Sequence, residues 1–248
     1  SIHQVDPHVF LGYENPDEQR WAMESGHPVA LANKHGDSWW YGVPSSDSGE
    51  ILGMAQRYSD PTSPAGDNII SGGGNSDGDQ MSVYVLALGP QTIYGVYPKG
   101  DAGKGLTITR VAPQMVPRVS PSGSTDGQML AETVVYNLSH GICVADWKAG
   151  VRICNIERSA LTADASSGAN LPDLMFEAME RLPSLSGNIR PVFYMDRSLR
   201  TKFRQQLAAL TKQSTLSYEN VGGHKAMMFN EIPIRRVDAL AADEALVS

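Results

Sequence analysis

Residues 81–100 read MSVYVLALGPQTIYGVYPKG, and the fold is decided there. Residues 83–88 form an unbroken apolar run rich in β-formers, too short for a helix and closed by Gly89-Pro90. That is the pattern of a strand covered on both faces. Residues 92–97 read as a second strand, ended by Pro98-Lys99-Gly100. Two strands joined by a short Gly-Pro connection predict a hairpin, with the proline excluding the commonest two-residue turns. No His, Cys or carboxylate lies inside the stretch. It reads as scaffold, not as reactive machinery.

On its N-terminal side, residues 60–79 predict a long loop. They hold Pro61, Pro64 and the run Gly72-Gly73-Gly74-Asn75-Ser76-Asp77-Gly78-Asp79, with only Asn68-Ile69-Ile70 reading as ordered. Further back, Asn15 precedes Pro16, Asp17 and Glu18. A cap, a proline in the first turn and acids at the positive end make a helix start. Gly26-His27-Pro28 interrupts that helix. A second piece is expected from residue 28 to about 40, with Val29, Ala32 and Trp39-Trp40 on its buried side. Two helices or one kinked helix fit this pattern equally.

On the C-terminal side, residues 106–111 alternate, with Leu106, Ile108 and Val111 apolar, and predict a strand. Residues 113–127, with Pro113, Pro117, Pro121, Gly123 and Gly127, predict a loop. Strands are expected over 129–136 and 142–156, then a polar linker over 159–171. A helix starting at Leu171 carries Leu174, Met175, Ala178 and Met179 at core-facing spacing and ends by Pro183. Residues 190–195 read as a buried strand. Asp196 caps a helix to about residue 210, with Leu199, Phe203, Leu207 and Leu210 inward. Short strands at 216–218, 226–229 and 232–237 precede an Ala-rich tail.

Composition excludes several classes. The 248 residues are 41% hydrophobic, which argues against global disorder. No apolar run has membrane-spanning length, and the opening residues do not read as a secretory leader. The sequon Asn137-Leu138-Ser139 is then a chance match. A net charge of −7 with dispersed Lys and Arg argues against salt-sensitive gripping of nucleic acid, though not against enclosing it. Cys143 and Cys154 read as two small buried residues in preference to a disulfide.

Each motif that could carry chemistry has a plainer reading. Gly74-Asn75-Ser76-Asp77-Gly78 matches G-x-S-x-G, but a nucleophile elbow needs a strand before it and a helix after it. Residues 75–79 lack the terminal Glu of a calcium loop. Gly100-Asp101-Ala102-Gly103-Lys104-Gly105 lacks the hydroxyl that follows the lysine of a phosphate loop. The six histidines, His3, His8, His27, His35, His140 and His224, form no metal-binding spacing. His140 and Cys143 are a local pair only by number, since residues three apart on a strand face opposite ways. Arg190, Arg197, Arg200, Arg204, Arg235, Arg236 and Asp238 form the densest charged region, read as solvated faces or as ion pairs between subunits.

Taken in order, several segments resemble one family. They are Trp39-Trp40-Tyr41-Gly42, Gly53-Met54-Ala55-Gln56-Arg57-Tyr58, Asn68-Ile69-Ile70 with its glycine run, and LGPQTIYGVYPKG at 88–100. Asp146-Trp147 leading to VRICNI at 151–156, RPVFYM at 190–195 and IPIRRVDAL at 232–240 complete the set. This resembles the major capsid proteins of tailed double-stranded-DNA bacteriophages, the short-tailed epsilon-fifteen type group and related prophages, over roughly residues 38 to 240.

The resemblance implies an α+β fold of the Hong Kong 97 type. Its peripheral subdomain, with a spine helix and long strands, is expected over 1–156. An axial α/β subdomain, a small sheet with flanking helices, is expected over 157–238, with a C-terminal tail over 239–248. It implies a non-enzymatic head subunit forming hexamers and pentamers of an icosahedral shell around double-stranded DNA. No catalytic, cofactor-binding or metal-binding residue is expected, and no cofactor. The partners would be other copies of the chain, with scaffold, portal and decoration proteins, and neither a membrane nor a specific DNA sequence. The location would be the virion, after assembly in the bacterial host cytoplasm. The family also implies an N-terminal arm and a long β-hairpin loop before the spine helix, for which this sequence has little room; a chain without them is expected to fold yet not close a shell. The alternatives are an encapsulin-like bacterial compartment shell and an α/β hydrolase using Ser76 or Cys143.

Overall fold

A computed structural model of the chain describes residues 2–10, 14–45, 49–99, 105–119, 123, 125–183, 189–209, 216–221 and 224–248. In chain order the elements begin with β1 (Ile2–Val5), α1 (Pro16–Glu24), α2 (Gly26–Tyr41), α3 (Met54–Arg57), β2 (Ile69–Ser71), β3 (Gln80–Leu88) and β4 (Ile93–Val96). There follow β5 (Leu106–Val119), β6 (Thr125–Leu138), β7 (Gly141–Val144), β8 (Gly150–Glu157) and α4 (Leu171–Arg181). The chain ends with β9 (Arg190–Met195), α5 (Arg197–Ala209), β10 (Leu216–Val221), β11 (His224–Phe229) and β12 (Ile232–Arg236).

Contacts divide the chain into two units, Ser1–Gly36 with Val96–Gly141, and Asp37–Gly95 with Ile142–Ser248. The division does not fall at residue 157. β8 belongs with α4, β9 and α5 because β3 pairs antiparallel with both β8 and β9.

In the second unit β3 is the central strand, and every residue from Gln80 to Ala87 is buried. Met81, Val83 and Val85 enter one core with Ile153, Phe193, Leu199, Phe203 and Phe229. Tyr84 and Leu86 enter another with Trp40, Met54, Tyr58, Ile93 and Leu240. Side chains alternate across a strand, so two apolar faces require the unbroken apolar run seen in the sequence.

The expected 83–88/92–97 hairpin does not form. β3 and β4 touch only at Leu88↔Ile93, in a parallel sense, and β4 lies between β3 and β7. The short Gly89-Pro90 connection fits a tight turn, but the two ladder positions on β3 are taken by β8 and β9. A two-residue hairpin occurs instead at Asn230-Glu231, between β11 and β12. Both residues have positive φ, 45° and 67°, as a type I′ turn requires.

The helices follow their signals. Asp196 accepts from the Ser198 backbone N–H at 2.7 Å and so caps α5. Asn15 stands at the N-cap position of α1 without a side-chain cap, leaving Pro16 and the first-turn acids to define the start. Gln206, fully buried, ties α5 to α4. Its Oε1 accepts from the Leu171 N–H at 3.0 Å, and its Nε2 donates to the carbonyls of Ala169 and Thr162. That side chain ties down the polar linker, in which Leu161, Ala169 and Leu171 are buried.

The first unit contains a three-stranded sheet, β1-β6-β5. The loop expected over 113–127 is mostly strand: β5 continues to Val119 and β6 begins at Thr125. The register shifts between Val111 and Gln114 and again between Pro117 and Val119. Bulges at those points absorb the prolines, which cannot donate to a ladder. In α2 the expected inner residues are also corrected. Val29 is 60% exposed and Ala32 is exposed, while His27, Leu31 and His35 are the half-buried stripe. Trp40 is buried as expected.

Candidate functional site

A buried polar cluster in the second unit forms a clasp that holds the C-terminal tail. Arg152 stands in the apolar strand β8, across from Tyr84 of β3. Its Nη2 donates to Glu244 Oε2 at 2.8 Å, and both side chains are nearly water-free, at 4% and 5% exposure. The other donors are also used. Nε donates to Ser82 Oγ at 3.1 Å, and Nη1 to the carbonyls of Ala55 and Tyr58 at 3.1 and 2.9 Å. Ser82 and Tyr41 donate their hydroxyls to the two oxygens of Glu244. The Ala241 N–H donates back to the Tyr41 hydroxyl at 2.9 Å.

Two further contacts complete the clasp. The Glu244 N–H donates to the Gln80 carbonyl at 2.9 Å. Asn155, at φ 54°, exchanges two hydrogen bonds with Val247. Asn tolerates the left-handed region and offers both a donor and an acceptor, so it can stand in for a strand edge.

Electrostatics follow from this packing. Burial disfavours the Arg152 charge, but Tyr84 and Glu244 outweigh it and hold the pKa above the usual arginine value. Burial, then the Glu244 carboxylate, pushes the Tyr41 phenol far up, so it stays a donor. Burial raises Tyr58 to about 12. A cleft of about 390 Å3 runs along the tail, lined by Tyr41, Gln56, Arg152, Asp243 and Leu246 among others. Four of the N–H donors of Arg152 are directed at protein acceptors, which makes the cluster a fastening device and not a ligand site.

The first unit pairs its histidines. The rings of His35 and His140 meet edge to face at 3.5 Å between centroids. His27 Nε2 lies 2.8 Å from His3 Nδ1, and the His27 ring stacks on Tyr136 at 6.0 Å. Glu24, 7% exposed, accepts two bonds from Arg110 at 3.1 and 2.7 Å and one from the Tyr136 hydroxyl. Burial lowers the pKa of His3, His35 and His140; His27 adds to the shift at His3 against the opposing pull of Glu24, and His140 adds to it at His35.

A lowered folded value means the unfolded chain takes up protons first. The stabilisation is complete above about pH 6.5 and is lost as pH falls through the lowered folded values. Hydrogen exchange of peptides covering 26–36 and 133–141, corrected for intrinsic rates, is therefore expected to lose protection between pH 7 and pH 5. Equal protection at both pH values would contradict this.

The sequence motifs fall as follows. Ser76 is exposed, and its hydroxyl donates to Glu157 Oε1 at 2.8 Å, away from any strand-to-helix turn. Cys143 and Cys154 are free thiols; Cys154 is buried as read, whereas Cys143 is only half-buried. Cys143 interacts with the Tyr94 hydroxyl, while His140 is engaged by His35. Residues 100–104, most of the phosphate-loop match, and the side chain of His224 lie outside the described residues. Among the described residues no group of three or more His, Cys, Asp or Glu could hold a metal ion. Among them, too, no helix is long and apolar enough to cross a membrane. Sequence reading missed the clasp, although an arginine inside the apolar run VRICNI was its visible signal.

A family model described as "Major capsid protein GP7" matches residues 1–248. A solved structure from bacteriophage Epsilon15, titled "Validated Near-Atomic Resolution Structure of Bacteriophage Epsilon15 Derived from Cryo-EM and Modeling", superposes with a TM-score of 0.70 at 23% identity. The match covers 100% of this chain and 73% of that chain. No curated protein matches. The mixed α+β fold of the Hong Kong 97 type expected from the resemblance is thereby borne out.

Proposed function

This chain belongs to the major capsid protein GP7 family, and from that premise we propose that it is the head subunit of a tailed phage or prophage, closing as hexamers and pentamers into an icosahedral shell around double-stranded DNA. The observation that carries the reading is the family match over residues 1–248. A major capsid protein is a structural virion component that associates with copies of itself. The finer statements are our own: assembly in the host cytoplasm, scaffold, portal and decoration proteins as partners, and no enzymatic role.

The two units fit such a subunit. α1, α2 as far as Gly36 and the long strands β5 and β6 suit a peripheral part, and the sheet flanked by α4 and α5 suits an axial part. The proposed lumen holds DNA without gripping it, consistent with the net charge of −7. Neither comparison supports a compartment shell or a hydrolase.

The test is negative-stain electron microscopy with light scattering on the full-length gene product, arm and loop included, expressed with its neighbouring genes. Uniform round shells tens of nanometres across are expected. A persistent monodisperse monomer or dimer would overturn the reading.

A further inference from the structure

α4 and α5 carry opposite charge on their outward faces. α5 buries Leu199, Phe203 and Gln206. At 100° per residue this leaves Arg197 and Arg204 away from the core, with Arg200 on the flank beside them. Arg197 and Arg204 are exposed and Arg200 half-buried. The helix contains no acidic residue, and none of the three arginines is engaged in an ion pair among the described residues. Arg236, by contrast, is engaged by Asp238 at 2.9 Å.

α4 buries Leu171, Pro172, Met175 and Ala178. Its opposite stripe is Asp173, Glu177 and Glu180, all exposed, beside the half-exposed Phe176. Asp173 accepts a local bond from Asn170, and Glu177 pairs with Arg181 at 2.6 Å. Arg181 itself is turned to the carbonyls of Asp67 and Ile69. The stripe therefore keeps an outward excess of negative charge.

The spacings are complementary. The acids lie at intervals of four and then three residues, and the arginines at three and then four. Both stripes span about 10 Å at 1.5 Å per residue. Laid antiparallel, they register as Asp173 with Arg204, Glu177 with Arg200 and Glu180 with Arg197. The antiparallel arrangement also opposes the helix dipoles favourably.

We propose that α5 of one copy docks antiparallel on α4 of a second copy through these three pairs, a head-to-tail contact of the kind that closes rings. This rests on the capsid reading above and names its contact surface. A heterologous contact uses two different patches of one chain, and both patches are present here in one unit. Arginine forks suit carboxylates, and the short, narrow stripe on an acidic chain favours a protein carboxylate over a DNA backbone.

Charge reversal tests it on the full chain. Arg197→Glu and Glu180→Arg, each alone, are expected to raise the protein concentration at which particles appear by roughly tenfold or more. Arg197→Glu/Glu180→Arg in one chain is expected to restore the wild-type threshold. Both sites are exposed, and the new charges suit their helix ends, so subunit melting temperature should not move. Shells forming at the wild-type threshold in either single variant overturn the docking and leave the capsid reading standing. Loss in both singles without rescue in the double overturns it as well. Normal shells holding less DNA in Arg197→Glu overturn it in favour of a DNA contact. A wild-type chain that never self-associates overturns both.

Discussion

Glu244→Ala is expected to destabilise the second unit by about 3–5 kcal/mol, the cost of leaving a buried charge unpaired. Arg152 would keep Ser82 and two backbone carbonyls as acceptors but lose its counter-charge in a site only 4% exposed. For a chain of this size the loss corresponds to a fall in melting temperature on the order of 10 °C. The tail would be released with it, since the Glu244 side chain gathers Ser82, Tyr41 and Arg152 at one point. Limited proteolysis should then cut within 239–248 before the rest of the unit opens. The double variant Arg152→Met/Glu244→Met should cost less than the sum of the two single changes, because it removes both charges together. A single-variant loss below about 1 kcal/mol would show the pair to be solvated in solution.

Phe229→Ala should cost about 3–5 kcal/mol by combining lost burial with a cavity. Phe229 is fully buried, and its ring meets Phe176, Phe203 and Phe193 at 4.8, 5.3 and 6.1 Å between centroids. It joins α4, α5, β9 and β11 in one core, so the cavity would open where helices and sheet meet. Phe229→Leu retains most of the volume and should cost less. The shift in denaturant midpoint at unchanged slope measures both. Equal losses for Ala and Leu would mean that ring geometry, and not volume, carries the site.

Helix starts were legible wherever a local signal sufficed. Asp196 before α5 and Pro16 at the start of α1 are examples, because capping is decided within a few residues. The Phe203 and Met175 stripes were legible for the same reason: periodicity reports which side of a helix is dry. Val29 was misread because its apolar character says nothing about whether a neighbour covers it, and the half-buried side of α2 is led by His27 and His35. Pro113 and Pro117 suggested a loop because a proline blocks a regular ladder, yet bulges in β5 accommodate them against β6. Of the charged cluster, the residue types on α5 were visible in the sequence, but the complementary stripe on α4 needed the burial of both helices.

By itself the sequence determined that β3 is a strand dry on both faces, that α4 and α5 are amphipathic, and that the segments resemble a capsid family. Each of those follows from local composition, spacing or ordered motifs. The tertiary structure alone decided that β3 pairs with β8 and β9 instead of with β4, and that the tail is fastened through Arg152 and Glu244. A strand can satisfy its backbone with any partner of suitable register, and a charge can be buried only where its counter-charge arrives. Both choices depend on residues distant in the chain.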